Sequence, residues 1–82
     1  MEATYYIKVA FRKEEDGNIL AVFPEEFHDK NRRHVMGYAT VGMHCDMSMD
    51  YARELDIPSV DETIELRNEL RSMGYILIDT KI

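Results

Sequence analysis

The stretch Val35-Met36-Gly37-Tyr38-Ala39-Thr40-Val41-Gly42-Met43-His44-Cys45-Asp46, continued by Met47-Ser48-Met49-Asp50-Tyr51-Ala52-Arg53, decides how the chain folds. From His34 to Met43 the residues alternate. Val35, Gly37, Ala39, Val41 and Met43 form a small apolar set, while Met36, Tyr38, Thr40, Gly42 and His44 carry the polar groups. A period of two predicts one half-buried strand, its small set packed under a helix and Tyr38, Thr40 and His44 sharing the other face. Asp46 or Ser48 then caps a short helix through Leu55, which Pro58 brings to an end.

Upstream, Tyr5, Ile7, Val9 and Phe11 alternate with Tyr6, Lys8, Ala10 and Arg12, the pattern of a half-buried strand with a wet second face. Lys13-Glu14-Glu15-Asp16-Gly17-Asn18 supplies turn residues before the apolar run Ile19–Phe23, so a hairpin is expected, with Pro24 ending its second strand. Downstream, Ser59-Val60-Asp61-Glu62 is a capping box that starts the main helix. Thr63, Leu66, Leu70 and Met73 form its apolar stripe, widened by Val60 and Ile64, and Gly74 stands at the stop. Tyr75-Ile76-Leu77-Ile78-Asp79 is nearly all apolar, which predicts an interior strand. The expected fold is α+β in one domain over residues 1–82. A mainly antiparallel four-stranded sheet, in the element order β-β-β-α-α-β, carries the long helix on one face.

At 82 residues the chain supports one modest core, which oligomerisation would reinforce. A formal charge of -6 and a pI near 4.9 exclude duplex nucleic acid as a partner held by a general basic face. The local exception is Arg32-Arg33, flanked by His28, Lys30 and His34, a secondary candidate for an anion. Single Cys45 excludes an internal disulfide and fits a reducing, cytoplasmic setting. No stretch approaches the roughly 18 apolar residues of a membrane span, and no export signal is visible at the N-terminus.

Tyr38, Thr40, Gly42 and His44 on one strand, with Tyr51 and Arg53 from the next helix, make the candidate ligand site. The rings stack or donate, Arg53 pairs with phosphate or carboxylate, and Gly42 admits a ligand close to the backbone. A solvated sheet face explains the same residues without any ligand. His28, His34, His44 and Cys45 match no zinc spacing, so neither metal nor cofactor is expected. His44 and Cys45 are neighbours on a strand, and they meet as base and nucleophile only if the strand has already ended. Glu14, Glu15 and Asp16, with Glu25 and Glu26, offer instead an acidic surface for a basic protein partner.

Ala21-Val22-Phe23-Pro24-Glu25, the run Tyr38-Ala39-x-x-Gly42-x-His44, Tyr51, Arg53, Pro58-Ser59 and Met73-Gly74-Tyr75 together resemble a family of small proteins of bacteriophages and mobile elements of gut bacteria. This chain has Met43 where that pattern carries glutamine, and Cys45 after the histidine. The resemblance implies a phage-type accessory protein in the cytoplasm of a bacterial host and supplies no established activity.

The leading expectation is therefore a non-catalytic binding protein that counters a bacterial defence by sequestering a nucleotide-like signal. The alternatives are an acidic inhibitor blocking a host defence protein or nuclease by contact, in the manner of an anti-CRISPR protein, and a small Cys/His enzyme. A dimer is expected, because the sheet face left open by the long helix, with Tyr6, Tyr38, Thr40 and His44, is aromatic-rich for so small a chain.

Overall fold

A computed structural model describes residues 5–27, 34–39 and 43–82. The elements run β1 (Tyr5–Lys13), β2 (Ile19–Phe27), β3 (His34–Ala39), β4 (Met43–Ser48), α1 (Met49–Glu54), α2 (Val60–Ser72) and β5 (Tyr75–Asp79). The class is α+β. The sheet has five strands in the order β4-β3-β2-β1-β5, antiparallel throughout except for the parallel pair that β5, returning after α2, makes with β1.

The β1–β2 hairpin forms as its turn residues dictate. Gly17 takes φ 92°, a left-handed conformation that favours glycine, and the Asn18 N–H donates to Asp16 Oδ1 at 3.1 Å. Pro24 does not end β2, contrary to expectation. The β1–β2 ladder stops at Ala10–Val22, and the β2–β3 ladder shifts register between Phe23 and Phe27, so a residue without an N–H sits where neither ladder asks for one.

The expected single strand over His34–Met43 is two strands, and this adds the fifth. Ala39 and Met43 are cross-strand partners, so the chain reverses between them, and Thr40, Val41 and Gly42 lie outside the described residues. The reversal escapes a periodicity argument for a geometric reason. Three intervening residues preserve parity, so the alternation passes through the turn unbroken.

The faces are also exchanged. Met36 and Tyr38 pack on the α2 side with Ile7, Val9, Phe11, Ile19, Ala21, Phe23, Leu66 and Leu70. Val35 and Ala39 lie on the other side with Leu20, Val22 and Met47, under Met49 and Ala52 of α1 and the side chain of Ile82. Among the described residues the second face is thus covered over β2, β3 and Met47 of β4, and it stays open at Tyr6 and Lys8 of β1 and at Ile76 and Ile78 of β5. β5 is an edge strand, not an interior one, and Ile76 and Ile78 remain exposed.

α1 starts at Ser48, one of the two caps expected for it, and α2 at the expected Ser59. The Tyr51 N–H donates to Ser48 Oγ at 3.4 Å, and Ser59 and Glu62 form the reciprocal box that opens α2. Thr63, Leu66 and Leu70 are buried as the stripe requires, whereas Val60, Ile64 and Met73 are exposed. Gly74 at φ 99° ends the helix, its N–H donating to the Arg71 carbonyl at 3.0 Å. Ser59→Ala is expected to cost about 1 kcal/mol in urea unfolding.

Glu62 is held down to about 2 from its ordinary 4.5, first by the 2.6 Å hydrogen bond from Lys13 Nζ and then by the Ser59 backbone N–H. Because the folded value is the lower one, this stabilisation is complete above about pH 4.5 and is lost as the pH falls towards 2. Lys13 is raised by the same bond, so its share is complete below 10.5 and is lost as the pH rises through the folded value. A carboxyl NMR titration should find the Glu62 midpoint near 2. A midpoint at the ordinary value would mean that the Lys13 pair is absent in solution.

Candidate functional site

Of the six residues expected to make one ligand site, the four described ones fall into two separate pairs. Tyr38 is buried on the α2 side, where a hydrogen bond to Glu69, and then burial, push its phenol above the ordinary value. His44, its cross-strand partner, is exposed and meets the Tyr38 ring edge-on at 4.8 Å. Tyr51 and Arg53 ride on α1, across the sheet from that pair. The Tyr51 hydroxyl donates to Glu14 Oε2 at 2.6 Å, and Arg53 approaches Asp50 at 3.9 Å. Thr40 and Gly42 lie outside the described residues, as do Arg32 and Arg33. Cys45 sits within β4, which runs on to Ser48, so the strand has not ended where the Cys-His reading needs it to end.

The acidic loops separate too. Tyr51 draws α1 to the hairpin tip, where Glu14, Glu15, Asp16 and Glu54 surround an open cavity of about 550 Å³. Glu25 and Glu26 stand at the far end of the hairpin, held by Lys8 Nζ at 3.2 Å and the Tyr5 hydroxyl at 3.2 Å.

A different site is assembled where β5 stops. β5 pairs with β1 only as far as Val9–Asp79, and the Thr80 N–H closes that ladder on the Val9 carbonyl at 2.9 Å. Further along the same edge the Lys13 N–H donates to the Asp56 carbonyl at 2.8 Å, which ties down the α1–α2 connection. Between these tethers no described strand pairs with Phe11 on this edge, its other edge being paired with Ala21 of β2. A cleft of about 410 Å³ opens there, walled by Val9, Phe11, Ile57, Pro58, Val60 and Ile82 and carrying Arg12, Arg67 and Lys81.

The two arginines differ in kind. Arg67 is fully engaged: its Nη atoms donate to both oxygens of Asp79 at 3.2 and 2.9 Å, its Nε donates to Thr63 Oγ1 at 2.8 Å, and its guanidinium lies 4.5 Å over the Phe11 ring. It forms a rigid wall with its charge already matched. Arg12 is only 8% exposed, its Nη1 donates to the neutral Phe11 carbonyl at 3.2 Å, and its Nε is buried without a hydrogen-bond partner. No carboxylate among the described residues pairs with Arg12 or Lys81. A guanidinium keeps its charge at any ordinary pH, and burying it without a counter-charge costs several kcal/mol.

Periodicity had put Arg12 with Tyr6 and Lys8 on a wet face. No local signal marks it otherwise, because its burial comes from distant segments at this end of the sheet: residues 56–58 and the tail Thr80–Ile82. Among the described residues no three His, Cys, Asp or Glu side chains group as metal ligands, and no described helix is long and apolar enough to cross a membrane. No family model matches the chain, and neither a curated protein nor a solved structure is significantly similar to it.

Proposed function

We propose that this chain is a non-catalytic binding protein that holds a small anion with an apolar body in the cleft between Arg12 and Arg67. The buried Arg12 guanidinium, with its orphan Nε and no carboxylate partner, carries the reading. A cavity of about 410 Å³ is within the range of small-molecule sites, which combine apolar walls with a few polar groups that fix orientation. A nucleotide-like signal fits this chemistry: its phosphate supplies the counter-charge for Arg12 and Lys81, and its base presents a flat face to Ile57, Pro58 and Val60. Sequestration of such a signal in a phage-infected bacterium is the setting that the sequence resemblance suggests.

Calorimetry against mononucleotides, cyclic nucleotides, ADP-ribose and aryl carboxylates tests this, each beside its neutral nucleoside or amide. Charge-assisted hydrogen bonds are worth about 1.5–3 kcal/mol, so the neutral compound should bind roughly tenfold or more weakly. No heat from any anion with the folded protein would sink the proposal.

A second reading, contact inhibition of a basic protein, is favoured by the Tyr51–Glu14 bond that gathers Glu14, Glu15, Asp16 and Glu54 at one tip. Exposed charges are screened beyond about 8 Å at physiological salt. A stoichiometric partner captured from bacterial lysate at low salt and released at high salt would support it, and an empty capture would count against it.

A further inference from the structure

The outer edge of β5 points to a second copy of this chain: we propose that β5 pairs antiparallel with its own counterpart about a two-fold axis at Leu77, joining two sheets into one. Nothing among the described residues pairs with that edge. It also lacks what usually protects an edge strand, having no proline, no lysine and no register shift against β1 over Tyr75–Asp79. On the face away from α2, Ile76 and Ile78 are 39% and 42% exposed, beside Tyr6 at 68%. Among the described residues, α1 and Ile82 leave this part of that face open.

Backbone phase and side chains select the same register. The Thr80 N–H and the Gly74 carbonyl bond to β1, so the even-numbered positions face inward and Tyr75, Leu77 and Asp79 direct their N–H and C=O outward. With Leu77 opposite Leu77 of the second copy, Tyr75 falls opposite Asp79 of the other strand, and each of these outward pairs exchanges two hydrogen bonds. Ile76 then faces Ile78 of the second copy at the closer, non-hydrogen-bonded spacing, twice over by symmetry. A shift of two residues either way sets an isoleucine against Gly74 or Thr80 and loses outward pairs.

Charge agrees with this register. Asp79, the one charged residue of β5, is already neutralised by Arg67, and it meets a tyrosine, while the two Asp79 carboxylates stay at opposite ends of the seam. An isologous contact of this kind closes on itself as a dimer.

Sedimentation equilibrium of the wild-type chain should show a dimer, and Ile76→Lys with Ile78→Lys should give a monomer with an unchanged far-ultraviolet spectrum. Register is read independently of that variant by cysteine cross-linking in a Cys45→Ser background. A mixture of Ile76→Cys and Ile78→Cys chains should form a disulfide-linked heterodimer on mild oxidation, whereas Ile76→Cys alone should not cross-link. A wild-type monomer at millimolar concentration would overturn the proposal, leaving the edge to a foreign peptide or to none. A dimer that survives both lysines, or Ile76→Cys cross-linking to itself as readily as to Ile78→Cys, would overturn it as well.

Discussion

Phe23→Ala is expected to lower the unfolding free energy by about 3–5 kcal/mol. Phe23 has no exposed surface, and its ring centroid lies 6.0 Å from that of Tyr75. It belongs to the cluster that brings β1 (Ile7, Val9 and Phe11) and α2 (Leu66 and Leu70) onto β2, with Leu77 of β5 packed against it. Deleting the ring therefore removes transfer energy and opens a cavity that four elements must relax to fill. For 82 residues the whole stability is about 4–12 kcal/mol, so the loss is a large share of it. Urea unfolding at fixed protein concentration should show a lower midpoint with an unchanged slope, and Phe23→Leu a clearly smaller shift. A loss under 1 kcal/mol would place the core elsewhere. Tyr6→Ala, at an exposed position of the neighbouring strand, is the contrasting case and should stay within about 0.5 kcal/mol in the monomer.

Local chemistry made some of this fold legible in the sequence. The Gly17 turn, the Ser59 cap and the Gly74 stop depend on local effects within a few residues and stand where the residues put them, while α1 takes Ser48, one of the two caps open to it. Pairing was less legible, because it depends on parity and on partners far along the chain. A three-residue link left the alternation of β3 and β4 looking like one strand, and the apolar run Ile76-Leu77-Ile78 reads alike for an interior strand and for an edge strand with exposed isoleucines. The exchange of faces on β3 has the same origin. Small Val35, Gly37 and Ala39 suit a close helix, but that helix is the short α1, while Met36 and Tyr38 pack on the α2 side.

The candidate site follows the same logic. Tyr38 and His44 share a face and touch, as a two-residue period requires, yet the reversal before Met43 places them on different strands, and the helix bearing Tyr51 and Arg53 packs on the opposite face. Arg12 had the residue type for an anion site but the wrong apparent environment. Only the closure of both the α1–α2 connection and the C-terminal tail over the end of β1 turns a surface arginine into a buried one.

Replacing that arginine is the sharpest test of the cleft. Arg12→Met is expected to leave the unliganded protein as stable as wild type or more stable, by up to about 1–4 kcal/mol, while cutting anion affinity at least tenfold. The methionine keeps the apolar stem against the walls and removes both the uncompensated charge and the orphan Nε. Against these gains stands only the Phe11 carbonyl, which loses one neutral-acceptor bond of 3.2 Å. Arg12→Lys retains the charge but not the planar fork, so it should bind anions more weakly than wild type without the stability gain. The two readouts exclude a purely structural role. An arginine present only to hold the fold would, when replaced by methionine, cost about 3–5 kcal/mol, as breaking a buried ion pair does. Such a loss in urea unfolding would mean that the guanidinium already has its counter-charge within the chain and that the cleft is not waiting for one. Unchanged stability with unchanged anion binding would move the site away from Arg12 altogether.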